Sequence, residues 1–168
     1  MPDQETKTFP TPSGPVTATT ETVETVPREV TLVSPAEIKE FERLALLAWD
    51  FLSAHVGHEA TLSLEALDGA FGAWQADPGQ LFSAQQVEQI LGAYLGQRLV
   101  ADLDMEWVNV TDEYGTDYAV RSRKWEVLSY PFAAVGKRIE DSKRDFLVAV
   151  YHTVEHTLKN GDHMPRRT

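Results

Sequence analysis

Met105-Glu106-Trp107-Val108-Asn109-Val110-Thr111 and Thr116-Asp117-Tyr118-Ala119-Val120-Arg121 stand on either side of Asp112-Glu113-Tyr114-Gly115. Apolar and β-branched residues alternate with polar ones along both arms, which is the period of a half-buried strand. The linker has turn chemistry, with a glycine placed to take positive φ. Strands joined by so short a link must be antiparallel. After Ser122-Arg123-Lys124, the segment Trp125–Tyr130 (WEVLSY) reads as a third strand of the same meander. Pro131-Phe132 breaks it, and Ala133–Glu140 reads as a short helix.

Upstream the period is helical. Ser34-Pro35-Ala36-Glu37 is a capping box with proline at the first helical position. Ile38, Phe41, Ala45, Trp49, Leu52 and Val56 follow at spacings of three or four, which predicts one helix running to Gly57. A second helix is expected over Leu64–Gln75, with Leu64, Leu67, Phe71 and Trp74 on one face and Asp77-Pro78-Gly79 as its stop. Ser83-Ala84-Gln85-Gln86 opens a third, to about Val100, with Val87, Ile90, Leu91, Tyr94 and Leu95 inward. Gly92 and Gly96 lie in it, each costing about 1 kcal/mol against alanine, so another backbone is expected to approach closely there. Downstream, Ser142 is positioned to cap a last helix over about Lys143–Lys159, with Phe146, Leu147, Val150, Tyr151, Val154 and Leu158 inward and Asn160-Gly161 as its stop.

Residues 1–28 are rich in Thr, Pro and Glu, with little apolar matter to offset ordering entropy, and read as a disordered arm. Glu29–Val33 is β-branched and reads as a short edge strand. The expected organisation is the arm, one domain over 29–161, and a frayed basic tail over 162–168. The expected fold class is α+β, with helices packed on one face of a small, mainly antiparallel sheet of three to four strands.

The chain of 168 residues is 42% hydrophobic, enough for a core, and has no cysteine. Disulfides, thiolate metal sites and cysteine nucleophiles are excluded. No signal-like N-terminus and no membrane-length apolar run is present, so a soluble cytoplasmic protein is expected. Residues 34–120 carry 15 acidic and 3 basic side chains, a net of −12, whereas residues 121–168 carry 6 acidic and 10 basic. An acidic body repels nucleic acid and anionic lipid and hastens encounter with a basic protein partner, although such charge also serves solubility alone.

His152-Thr153-Val154-Glu155-His156 matches H-x-x-E-H, a helix-borne zinc motif in which both imidazoles share a face and the glutamate activates water. That chemistry needs a third protein ligand, and the twelve residues after His156 include no glutamate. A solvated helix face is the plainer account. The hairpin carboxylates Asp112, Glu113 and Asp117, with Tyr114, could hold a hard cation, but hairpin turns favour Asp and Gly for conformational reasons too. Lys137 and Arg138, with Lys143 and Arg144 and near Arg121, Arg123 and Lys124 in sequence, could bind an anion or pair with the acidic helices. No serine-nucleophile, phosphate-loop or dinucleotide motif occurs, no catalytic residue is assigned and no cofactor is expected.

Leu91-Gly92-Ala93-Tyr94-Leu95-Gly96, then Met105–Asp112, Tyr114–Val120 and Tyr130-Pro131-Phe132-Ala133-Ala134-Val135-Gly136-Lys137-Arg138 follow one another in a distinctive order. A glycine-spaced helix, a tryptophan strand, a glycine turn and a proline-aromatic step into Lys-Arg resemble the bacterial domain of unknown function 3806, over about residues 60–140. The resemblance implies a bacterial protein of small α+β fold and transfers no activity. Two functions remain: a non-enzymatic interaction module with an acidic docking surface, immunity-like or regulatory, and a metal-dependent hydrolase using His152, Glu155 and His156.

Overall fold

A computed structural model describes residues 27–77, 81–142, 145–161 and 165–166, and the backbone of 4–9 and 16–21. In chain order the elements are β1 (Gln4–Phe9), β2 (Val16–Glu21), β3 (Glu29–Leu32), α1 (Pro35–Leu46), α2 (Ala48–His55), α3 (Leu64–Ala76) and α4 (Ala84–Leu103). Then come β4 (Met105–Asp112), β5 (Gly115–Ser122), β6 (Leu128–Ser129), α5 (Pro131–Asp141) and α6 (Leu147–Asn160). The fold is α+β.

The hairpin forms as expected, with Met105 opposite Ser122 and Asp112 opposite Gly115, whose φ is +138°. β3 adds to its free side with Val30 opposite Val110, giving an antiparallel sheet of order β3-β4-β5-β6. Met105 and Trp107 point to the helical side and are buried there. Val108, Val110 and Ala119 point the other way and form a second small cluster with Val30, Leu128 and Tyr130. The third strand is shorter than expected, two residues rather than six. The Ser122 hydroxyl accepts the N–H groups of Lys124 and Trp125 and turns the chain away, so Trp125 pairs with Pro165 instead. Pro131 then starts α5 two residues earlier than the sequence suggested, its missing N–H costing nothing at that position.

The first expected helix is in fact two. The Leu47 N–H bonds to Leu44 O at 3.1 Å, a tightened turn that ends α1 and lets α2 restart at Ala48. The inner face is Phe41, Leu44, Ala48, Phe51 and Leu52, while Ile38, Trp49 and Val56 of the expected stripe are exposed. Both sets satisfy helical spacing, so periodicity alone could not choose between them.

α3 and α4 keep their expected stripes, and the Ser83–Gln86 capping box is made in both directions. α6 differs. Ser142 closes α5 with φ +52° rather than opening α6, which begins at Leu147, and Lys143 and Arg144 lie outside the described residues. Its N-terminus is capped from α3: the buried Asp68 carboxylate accepts the N–H groups of Phe146, Leu147 and Val148 at 3.0, 2.8 and 3.1 Å. Three such bonds favour the charged carboxylate, but burial outweighs them and raises the pKa of Asp68.

Within the stretch expected to be a disordered arm, β1 and β2 pair in a separate two-stranded antiparallel ribbon, with Thr6 opposite Thr19 and Thr8 opposite Thr17. Its β-branched threonines suit a strand. In the stretch expected to be a frayed tail, Pro165 and Arg166 dock on the sheet. The Arg166 N–H bonds to Lys124 O at 3.0 Å, and its guanidinium reaches Glu106 at 2.7 Å. Glu106 is little exposed and also takes Arg121 at 2.9 Å and Arg123 at 3.2 Å, so its charge is compensated three times over. Burial is the largest influence on its pKa and pushes it up, but the arginines together hold it below the usual value.

Candidate functional site

Two glycines of α4 set the geometry of one cleft. A Cβ at Gly92 would lie 2.8 Å from the Phe132 Cα, and a Cβ at Gly96 would meet the Trp107 ring. α4 can therefore seat α5 on one turn and the tryptophan of β4 on the next. The close approach expected from the glycine spacing is real. It involves aromatic side chains as much as backbone. Phe41 of α1 completes the layer, with ring centroids 4.5 Å from Trp107, 4.9 Å from Tyr118 and 5.4 Å from Phe132.

Above this aromatic floor α1, α4, β5 and α5 leave a cleft of about 420 Å³. Phe41 and Leu44 line its base, Tyr118 and Phe132 one wall, and Glu37, Glu40 and Glu88 its rim. Asp117 borders the cleft in sequence beside Tyr118, but it stands opposite Val110 and turns its side chain to the other face of the sheet. The Tyr118 side chain is 37% exposed, so its ring is available to a ligand.

The three rim carboxylates are not equivalent. Glu37 closes the capping box, its Oε2 accepting the Ser34 N–H and hydroxyl, both at 2.8 Å, while Oε1 accepts the Tyr118 hydroxyl at 2.7 Å. The Ser34 N–H and then the Tyr118 hydroxyl hold its pKa below the usual carboxylate range, and the same bond raises that of Tyr118. Glu37 thereby ties the start of α1 to β5. Glu40 is gripped by Arg43 in a fork of 2.8 and 2.7 Å, which lowers its pKa. Glu88 lies against Gly136, where a Cβ would come within 3.0 Å of its Oε2. Among the described residues no basic side chain pairs with Glu88. An open carboxylate beside an exposed aromatic face makes a surface that attracts cations.

Of the residues singled out from sequence, Asp117 alone borders this cleft, and its side chain faces the other side of the sheet. Asp112, Glu113 and Tyr114 sit at the hairpin tip, where Asp112 Oδ1 accepts the Tyr114 N–H at 2.8 Å, a bond that shapes the turn. Tyr114 is exposed, and its pKa is raised by its hydrogen bond to Glu113. Lys137 and Arg138 line a different, open groove between α5, α6 and β6, and Arg138 lies 3.9 Å from Asp141 on its own helix. His152, Glu155 and His156 lie on the outer side of α6. His152 Nδ1 is 3.3 Å from Glu155, whose other oxygen takes Lys159 at 2.9 Å and whose pKa is lowered by Lys159 and then His152. Asp162 and His163 lie outside the described residues, among which no group of three or more His, Asp or Glu side chains could hold a metal ion.

Sequence reading missed Glu88, Tyr118 and Phe132 as site residues, and took Glu37 for a cap alone. The glycine spacing was the one available signal, since it marks where foreign side chains press on α4.

The family model described as Domain of unknown function (DUF3806) matches residues 64–151, more than half of the chain. A crystal structure from Bacteroides thetaiotaomicron VPI-5482 is similar in fold, with a TM-score of 0.59 and 12% identity, covering 83% of this chain and 51% of that one. The chain spans about half the length of that protein. A search of curated proteins returns no match. Among the described residues, no helix is long and apolar enough to cross a membrane.

Proposed function

This chain belongs to the family of the domain of unknown function DUF3806, and from that premise we propose a recognition module, not an enzyme, whose cleft between α1, α4, β5 and α5 docks a basic protein partner. One observation carries the reading: Glu88 stands without a basic partner among the described residues at the rim of an aromatic-floored cleft. The net charge of −12 over residues 34–120 extends the same preference across the surrounding surface and speeds approach of a cationic partner. A partner segment bearing Lys or Arg gains charge pairing at the rim and apolar contact at the base, with its aliphatic stems against Phe41 and Leu44.

The test is fluorescence anisotropy of labelled basic, neutral and acidic peptides with wild type and with Glu88→Gln, at low and high salt. The basic peptides are expected to bind wild type best at low salt, with Glu88→Gln weakened about five-fold at constant melting temperature. Equal binding of basic and acidic peptides, or no effect of Glu88→Gln, ends the proposal. The motif on α6 supports no second reading, because its glutamate is held by His152 and Lys159.

A further inference from the structure

We propose that the open groove between α5, α6 and β6 docks an acidic amphipathic helix of a partner protein, at a site separate from the cleft and independent of the docking reading above. The groove has a volume of about 610 Å³, and Val127, Phe146 and Val154 are buried at its base. Along α6 the lining residues Phe146, Val150, Thr153 and Thr157 recur at spacings of three or four. One face of that helix therefore runs the length of the groove, about 16 Å or three turns. Thr153 and Thr157 require no polar partner there, because their hydroxyls donate to the Ala149 and Thr153 carbonyls of the same helix, both at 2.8 Å. Facing them, α5 presents Ala133 and Ala134, side chains small enough to admit a third helix at the axial distance of about 8–10 Å that packed helices adopt.

Two features select this occupant. The groove is open, with Ala133, Ala149 and Thr153 exposed, so whatever fills it must turn one side to water. An amphipathic helix has a polar side for that purpose, whereas an acyl chain is apolar all round and would stay wet along its length. The second feature is charge. No Asp or Glu is among the lining residues, and Lys137 and Arg138 stand on the α5 wall. Among the described residues Lys137 pairs with no carboxylate, and Arg138 only with Asp141 of its own helix, at 3.9 Å. In a chain of net charge −11 this is a local excess of positive charge, in keeping with the 6 acidic and 10 basic residues of 121–168. Two neighbouring cations call for more than one carboxylate, which an acidic helix supplies and a single fatty acid does not.

The full chain is titrated by fluorescence anisotropy with two labelled helical peptides that share one leucine stripe and carry either glutamate or glutamine on the polar face. Physiological salt is used, where the acidic body is screened beyond about 8 Å. The glutamate peptide is expected to bind about five-fold more tightly than the glutamine peptide. Lys137→Gln/Arg138→Gln should erase that difference, and Ala149→Phe, which fills the groove from an exposed position, should abolish binding of both at unchanged melting temperature. Glu88→Gln should leave both affinities as they are, so failure here and failure of the cleft reading are told apart. Equal binding of the two peptides, binding by neither, or full binding in Ala149→Phe overturns the proposal. Two further results overturn it by naming another occupant. One is self-association in sedimentation velocity that Ala149→Phe removes, which gives the groove to a second copy. The other is displacement of the glutamate peptide by dodecanoate with an affinity above that of the peptide, which gives it to an acyl chain.

Discussion

Replacing glycine by alanine should have opposite effects on two helices of this protein. Gly69 lies on the exposed side of α3, and a Cβ built there meets nothing within 4 Å. Gly69→Ala therefore gains helix propensity alone, up to about 1 kcal/mol. Gly92 of α4 gains the same propensity, but its new methyl would stand 2.5 Å from Phe132 Cδ1 and 2.8 Å from Phe132 Cα. Carbon atoms rest at about 3.5–4.0 Å, so α5 must withdraw by roughly 1 Å. Phe132 is the second residue of α5, held by the strand just before it, which limits how far it can give. Overpacking of this kind costs about 1–3 kcal/mol, and a backbone obstacle places it toward the upper end. The net result is a loss of about 2 kcal/mol after the propensity gain. At about 2–4 °C per kcal/mol, Gly69→Ala should melt about 2–4 °C higher than wild type and Gly92→Ala about 4–8 °C lower. Thermal unfolding followed by circular dichroism reads both. If Gly92→Ala is neutral or stabilising, α5 does not press on α4 there and the cleft wall is misplaced.

Asp68→Ala leaves three N–H groups at the start of α6 without an acceptor, two buried and one half-buried, and should lower stability by about 2–4 kcal/mol in urea unfolding. A loss below about 0.5 kcal/mol would mean α6 needs no cap from α3. Glu106 has a lowered folded-state pKa, so its stabilisation is present above the unfolded glutamate value and is lost as pH falls through the folded value. The stability gap between wild type and Glu106→Gln should accordingly shrink on acidification through that window, and a gap independent of pH contradicts the arginine cluster. Tyr118 is shifted the other way by the Glu37 carboxylate, so it should ionise above an ordinary tyrosine, with stability falling as pH rises from about 10 through the folded value. Glu37→Gln preserves the capping box and should bring Tyr118 down in an ultraviolet titration; an unmoved curve removes Glu37 as the cause.

The parts of the fold written locally could be read in advance. Ser34 with Glu37 and Ser83 with Gln86 are four-residue devices, and both form as their spacing requires. Gly115 with its alternating flanks is equally local, and the β4–β5 hairpin follows from it. What escaped was set by distant partners. The α6 start depends on Asp68, nearly eighty residues earlier, and Ser142 looked like its cap only because no local sequence reveals that carboxylate. The third strand lost Trp125 to Pro165, forty residues downstream. In α1 and α2 two apolar sets obeyed the same spacing, and packing chose the one that includes Ala48 and Phe51. The cleft shows the same division. Asp117 was visible as a turn carboxylate, but its side chain faces away from the cleft, and Glu88, Tyr118 and Phe132 belong to three elements that only the tertiary fold brings together.

Carboxyl footprinting of the full chain tests the docking surface most directly. Carbodiimide coupling of glycinamide is read by mass spectrometry with and without a saturating arginine-rich peptide. Glu88 is expected to be protected by the peptide, while exposed carboxylates away from the cleft, such as Asp50 and Glu140, keep their reactivity. Uniform protection across the acidic surface, or protection that spares Glu88, contradicts a cleft built to receive a basic partner.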